Sequence, residues 1–156
     1  MEKISHFIDG KIYSVSSTRT GSVFNPAIGQ QIAEVELASK DTVKLAVNSA
    51  SKAYLKWSKT TPINRSRILE KYKSLIVKNM DELAELVSKQ HGKTIPDSKG
   101  SIQRGIEVVE YATGITSALK GEHSTSVGTN VDSHTLRQPL GAVSYTHLTL
   151  PTTPYV

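Results

Sequence analysis

The chain has 156 residues, 37% hydrophobic and 21% charged, with a formal net charge of +5 and no cysteine. That length suits one average domain with a core of its own, and the missing thiols exclude disulfides, thiolate metal sites and a cysteine nucleophile within these residues. No run approaches the roughly 18 apolar residues of a membrane helix, and Met1-Glu2-Lys3-Ile4-Ser5-His6-Phe7 lacks the apolar stretch of a secretory signal, so a soluble, cytoplasmic protein is expected.

The first segment reads as strands. Phe7-Ile8-Asp9-Gly10-Lys11-Ile12-Tyr13 sets an Asp-Gly pair between short apolar runs, and such a pair tolerates the two positive φ angles of a tight hairpin turn. Residues 14–21 are rich in hydroxyls and are expected to form a loop. A second strand pair begins over residues 22–25, turns through Asn25-Pro26-Ala27-Ile28-Gly29 and returns over residues 31–35, where Ile32, Ala33 and Val35 are apolar.

Four helices are predicted next. Over residues 40–57, Val43, Ala46, Val47, Ala50, Ala53, Tyr54 and Trp57 keep a 3.6-residue period, with Ser39 as N-cap and Asp41 in the first turn. The second opens on Thr61-Pro62, a cap followed by proline at the first helical position, and is expected to carry Ile68, Leu69, Tyr72, Leu75 and Ile76 inward. The third covers residues 81–90 with Leu83, Ala84, Leu86 and Val87, stopped by Gly92. The fourth runs over residues 96–119 with Ile102, Ile106, Val109, Thr113 and Ile115 at helical spacing. Gly100, Gly105 and Gly114 interrupt it, each costing up to about 1 kcal/mol relative to alanine. Tight helix packing is the first expectation for these glycines and approach of a ligand the second.

After Gly121 the helical period stops, and residues 129–132 and 134–138 read as short extended segments, followed by the turn Pro139-Leu140-Gly141. At Ser144 the composition changes: residues 144–156 hold four threonines, two prolines and no Asp, Glu, Lys or Arg. Proline bars a central strand or helix there, so this stretch is expected to be a disordered or foreign tail.

Motifs for chemistry are few. There is no Gly-x-Gly-x-x-Gly fingerprint, phosphate loop or Gly-x-Ser-x-Gly elbow. His6, His91, His123, His134 and His147 lack metal-ligand spacing. Arg65, Arg67, Lys71, Lys73 and Lys78 share a helix with Glu70 and read as a solvated face, not a nucleic-acid surface. Glu107 and Glu110 lie three residues apart on one helix and are expected to be surface carboxylates. Arg104 sits between Gln103 and Gly105; its planar donor fork can grip a carboxylate at two points, which lysine cannot copy. Spacing alone favours a surface arginine.

Several stretches taken in order resemble the aldehyde dehydrogenase superfamily: Phe7-Ile8-Asp9-Gly10-Lys11, Asn25-Pro26-Ala27-Ile28-Gly29, the helix end at residues 53–57, residues 65–69 and His91-Gly92-Lys93-Thr94. Residues 100–112, Gly-Ser-Ile-Gln-Arg-Gly-Ile-Glu-Val-Val-Glu-Tyr-Ala, followed by Leu136-Arg137-Gln138-Pro139-Leu140-Gly141, are similar to its CoA-acylating methylmalonate-semialdehyde branch. The resemblance implies an α/β fold of which residues 1–143 are the N-terminal part: β-hairpins, four helices and the start of the oligomerisation strands, with the Rossmann-like sheet incomplete. It implies a parent enzyme that oxidises methylmalonate or malonate semialdehyde with NAD and CoA, releasing carbon dioxide and giving propionyl-CoA or acetyl-CoA, in a homo-oligomer. It also makes Arg104 the substrate-binding residue for the aldehyde's distal carboxylate. No catalytic, cofactor-binding or metal-ligating residue is identified in these 156 residues, so the chain by itself is expected to be inactive. The alternatives are another NAD(P)-dependent aldehyde dehydrogenase giving a free acid, or a small basic helical binding module.

Overall fold

The computed structural model describes residues 1–15 and 19–144. All but Ser144 of the expected tail therefore lies outside the described residues. The elements in chain order are β1 (Glu2–Ile4), β2 (His6–Ile8), β3 (Lys11–Tyr13), β4 (Thr20–Asn25), β5 (Gln30–Glu36), α1 (Lys40–Trp57), α2 (Pro62–Lys78), α3 (Met80–His91), α4 (Ile95–Thr113), α5 (Ile115–Ala118), β6 (His123–Gly128) and β7 (Val131–His134). The strands form three small sheets among the described residues, ordered β1-β5-β4, β2-β3 and β6-β7.

Turn chemistry explains the first two hairpins. β2 and β3 pair antiparallel with Ile8 opposite Lys11, and Asp9 and Gly10 take φ of 55° and 72°, the two positive values that match the strand twist. Between β4 and β5, the Asn25 carboxamide accepts from the Ala27 N–H at 3.0 Å, and the Asn25 carbonyl accepts from Gly29 N–H at 2.8 Å. Gly29 has φ of 66°, which a side chain would resist. The loop expected over residues 14–21 is shorter than that: Thr20 and Gly21 are already in β4, paired with Glu36 and Val35. A partner strand, which composition does not reveal, sets where β4 begins. β1 was not expected either. Its three residues pair parallel with β5, Glu2 to Ala33 and Ile4 to Val35, a non-local contact without a local pattern.

Ser14 and Val15 close this corner by donating to the Glu36 carboxylate at 2.7 and 3.2 Å. The Ser14 bond first, then the Val15 N–H, holds Glu36 below the usual carboxylate range. Its contribution to stability is present above that range and is lost as pH falls through the lowered value.

Helix ends follow their caps. α1 has the predicted bounds, and Ser39 Oγ accepts from Thr42 N–H at 3.2 Å. Pro62 opens α2, although the Thr61 side chain makes no capping bond. Gly92 ends α3 with φ of 79°, the left-handed stop that glycine permits. Thr94 caps α4 through Asp97 N–H. The fourth helix does not reach residue 119 unbroken: it stops at Thr113, and α5 is a separate turn after Gly114. The glycine in the chain thus breaks the helix as well as weakening it.

α2, α3 and α4 pack around Ala84, Ser98 and Ile106, all buried. α4 turns Ile102, Ile106, Val109 and Thr113 inward as its period predicts. α2 differs. Leu69 and Ile76 are half-buried, but Ile68, Tyr72 and Leu75 are exposed. The packed face runs through Arg65, Ser66, Leu69, Lys73 and Ile76, because α4 is met by polar contacts: Ser66 Oγ donates to the Thr113 carbonyl at 2.7 Å, and Lys73 reaches Glu110 at 3.2 Å. The sizeable core expected from length is also absent among the described residues, where the buried hydrophobic side chains are Ala33, Ala84 and Ile106.

The last hairpin is placed differently from the sequence reading. Its strands are β6 and β7, Thr129-Asn130 forms the turn with Asn130 at φ 62°, and residues 135–138 carry no strand. β6 was missed because all six of its residues are exposed, so no apolar alternation marks it. The α2–α4 bond yields a first test. Ser66→Ala is expected to lower the opening free energy of α2 and α4 amides by about 1 kcal/mol, read by hydrogen exchange. Ser98→Ala removes a buried hydroxyl without a partner and is expected to lower nothing.

Candidate substrate-binding face

α4 has two unlike sides. Opposite its packed face lie Gly100, Arg104, Glu107 and Tyr111, set by the 100° step of the helix, with Val108 at the flank. Tyr111 is 89% exposed and Val108 68%. Arg104 is exposed on this outer strip, and among the described residues its guanidinium has no hydrogen-bond or ion-pair partner. Glu107, one turn on, does not pair with it. Tight packing among the described residues does not explain the glycines near it: there, a Cβ at Gly100 or Gly105 would meet nothing within 4 Å. At Gly114 it would meet the Tyr111 carbonyl at 3.3 Å, a contact within the helix turn and not between helices. The arginine fork is therefore free to receive an anion, and the missing side chain of Gly100 leaves room one turn before it.

An open helix face can grip a carboxylate but cannot enclose a substrate, because small-molecule sites bury most of their ligand. The described residues supply one wall at most. Glu110 is unavailable as an acid or base partner for Glu107, since Lys73 holds it. The Glu110 carboxylate first, and Glu70 at 3.6 Å second, raise the Lys73 pKa above the usual lysine value. Arg67 is taken up by Asn64 at 3.2 Å. The basic residues of α2 are thus divided between a packed side and a solvated side, and do not form one cationic face.

A second concavity lies outside anything the sequence suggested. Its lining includes His6, Ile8, Thr42, Val47, Ala50 and Val143, and its volume is about 630 Å³. It lies where α1 meets β2 and residues 142–144, and the neighbouring Pro139 carbonyl accepts from the Tyr54 hydroxyl at 3.1 Å. That contact spans 85 residues, so no local pattern could announce it. Val43, Val47 and Trp57 of α1 are about half-exposed. Among the described residues no group of three or more His, Asp or Glu side chains converges to hold a metal, and no helix is long and apolar enough to cross a membrane.

Residues 13–146 match the profile of the aldehyde dehydrogenase family, and the chain belongs to that family. Within it, the chain is similar to a malonate-semialdehyde dehydrogenase of Bacillus pumilus, 40% identical over 143 residues, which cover 92% of this chain and 29% of the relative. A Dictyostelium discoideum relative, "Probable methylmalonate-semialdehyde/malonate-semialdehyde dehydrogenase [acylating], mitochondrial", is 41% identical over 135 residues, covering 86% of this chain and 26% of that one. Among solved structures, a Sinorhizobium meliloti protein assigned as a methylmalonate-semialdehyde dehydrogenase and complexed with NAD superposes with a TM-score of 0.84 at 44% identity. That superposition covers 90% of this chain and 28% of the other. The chain thus spans less than a third of the length of these relatives, and its mixed α/β structure is the N-terminal part of the aldehyde dehydrogenase fold.

The ion pair on α2 gives a pH test. Because the Lys73 pKa is raised on folding, its contribution is complete below the ordinary lysine range and disappears as pH rises through the raised value. Lys73→Met is expected to abolish that alkaline loss of α2–α4 protection, measured by helical circular dichroism between neutral pH and pH of about 11.

Proposed function

We propose that residues 1–143 are the N-terminal part of an NAD-dependent, CoA-acylating dehydrogenase of malonate or methylmalonate semialdehyde, in which Arg104 holds the distal carboxylate of the substrate. Residues 144–156 are proposed as a tail outside that part, although the family match runs on to residue 146. The observation that carries the reading is the unpaired, outward-facing Arg104 guanidinium beside an open Gly100, on a chain with relatives bearing these substrate names.

The chemistry follows from what the aldehyde carries. A semialdehyde presents a reactive carbonyl at one end and a carboxylate at the other. A bidentate Arg104–carboxylate contact fixes the far end and so orients the carbonyl. Lysine would supply the charge without the two-point geometry. NAD supplies hydride acceptance in such enzymes, and CoA would receive the acyl group, releasing propionyl-CoA or acetyl-CoA after loss of carbon dioxide. The chain holds no cysteine to act as nucleophile. NAD rests on the Sinorhizobium meliloti complex and CoA on the acylating label of the Dictyostelium discoideum relative. A homo-oligomer is part of the same reading: β6 and β7 are exposed along their whole length, and an exposed strand edge is a template for pairing.

Two experiments test this. Residues 1–143 joined to the remainder of the Bacillus pumilus relative are expected to reduce NAD with malonate semialdehyde and to need CoA for turnover; formation of the free acid without CoA would favour an aldehyde dehydrogenase of another branch. In that chimera, Arg104→Lys is expected to lower kcat/KM for malonate semialdehyde by about tenfold or more and to leave propanal oxidation unchanged. Equal losses for both aldehydes would remove Arg104 from carboxylate binding. The 156-residue chain alone is expected to form no NADH with either substrate, and a measurable rate would sink that part of the proposal.

A further inference from the structure

A further cleft opens between β2–β3 and α1, with a volume of about 700 Å³, and shares Ile8 with the concavity at residues 142–144. Its size falls within the range of small-molecule sites. Ile8 and Tyr13 of the hairpin, on one face by their register, and Leu45 and Ala53 of α1 supply an apolar floor; Tyr13 is 40% exposed and Leu45 41%, so the described residues leave this floor partly uncovered. Lys11 stands on the hairpin wall, and Lys52 and Lys56 stand on the helix wall. None of the three has a carboxylate partner among the described residues, unlike Lys73 and Lys99. One carboxylate, Asp9, faces the same cleft and accepts from Ser49 Oγ at 3.4 Å.

We propose that the cleft between α1 and the β2–β3 hairpin binds an aliphatic chain with an anionic head group, held by Lys11, Lys52 and Lys56. The floor buries the chain, and the lysine stems extend over it while their ammonium groups stay at the rim. Leu45 and Lys56 lie about 16 Å apart along the helix at 1.5 Å per residue, which gives the chain length to lie down. Three cations against one carboxylate make the rim attractive to anions. Lysine acts as a point charge without a preferred fork, so carboxylate and phosphate heads are expected to bind alike. This site involves neither Arg104 nor α4, so it stands or falls apart from the dehydrogenase reading.

Trp57, the single tryptophan, follows Lys56 at the end of α1 and serves as the reporter. Titration of the 156-residue chain with monomeric dodecanoate or dodecyl phosphate is expected to change its fluorescence saturably, with one site. Lys52→Glu with Lys56→Glu is expected to weaken binding about tenfold or more, and Asp9→Asn to tighten it, with helical circular dichroism unchanged. Should the helix variant fail to fold, Lys11→Glu tests the same charge from the hairpin wall. Dodecanol binding as tightly as dodecanoate would overturn the proposal, as would charge variants that bind like the parent. Capture only by anionic phospholipid vesicles, or preferential binding of polyglutamate, would assign the lysines to a membrane surface or an acidic protein and equally overturn it.

Discussion

The orientation of α4 is the constraint on which the rest of the described structure depends. Ile102, Ile106 and Val109 turn toward α2 and α3, the Thr113 carbonyl accepts from Ser66, and Glu110 meets Lys73. With those contacts made, the 100° helical step leaves no choice about the other side. Arg104 and Tyr111 must face away. The break at Gly114 then ends the helix at the residue whose carbonyl α2 captures, and α5 turns back against α2. Lys99 and Asp81 add an ion pair between α4 and α3, but at this exposure such a pair contributes little.

The same packing explains how little the described residues bury. A helix bundle gains stability when apolar stripes meet, and here α2 gives α4 a mixed face of Ser66, Leu69, Lys73 and Ile76. The stripe of Ile68, Tyr72 and Leu75 stays exposed, as do Val43, Val47 and Trp57 on α1. Contiguous exposed apolar surface on this scale marks surfaces made to meet something else. Among the described residues nothing covers these faces. The groove reached by Val143 is one of them.

Polar groups divide along the same lines. Where two elements must hold together with little apolar area, charged or hydroxyl groups do it: Glu36 with Ser14 and Val15, Lys73 with Glu110, Tyr54 with the Pro139 carbonyl. Where a cation has no such duty, as at Arg104 and the lysines of the hairpin cleft, it remains available to a ligand. The net positive charge of the chain therefore reads as separate local roles and not as one field.

The sequence by itself determined the local structure. The Asp9-Gly10 turn, the Asn25 to Gly29 turn, the bounds of α1 and the Gly92 stop each rest on a residue whose conformational preference acts within a few positions, and the run of family stretches was legible for the same reason. Arg104 was visible as a candidate, because an arginine followed directly by a glycine stands out in a helix. The inward face of α4 was legible too, but only the tertiary structure decided which face α2 shows. α2 packs through Ser66 and Lys73 and not through Tyr72, β4 begins where Glu36 pairs with it, and β1 exists because β5 offers an edge. β6 has no apolar pattern at all. Burial and strand pairing are set by partners far along the chain, and a partner leaves no mark on the residues it will meet.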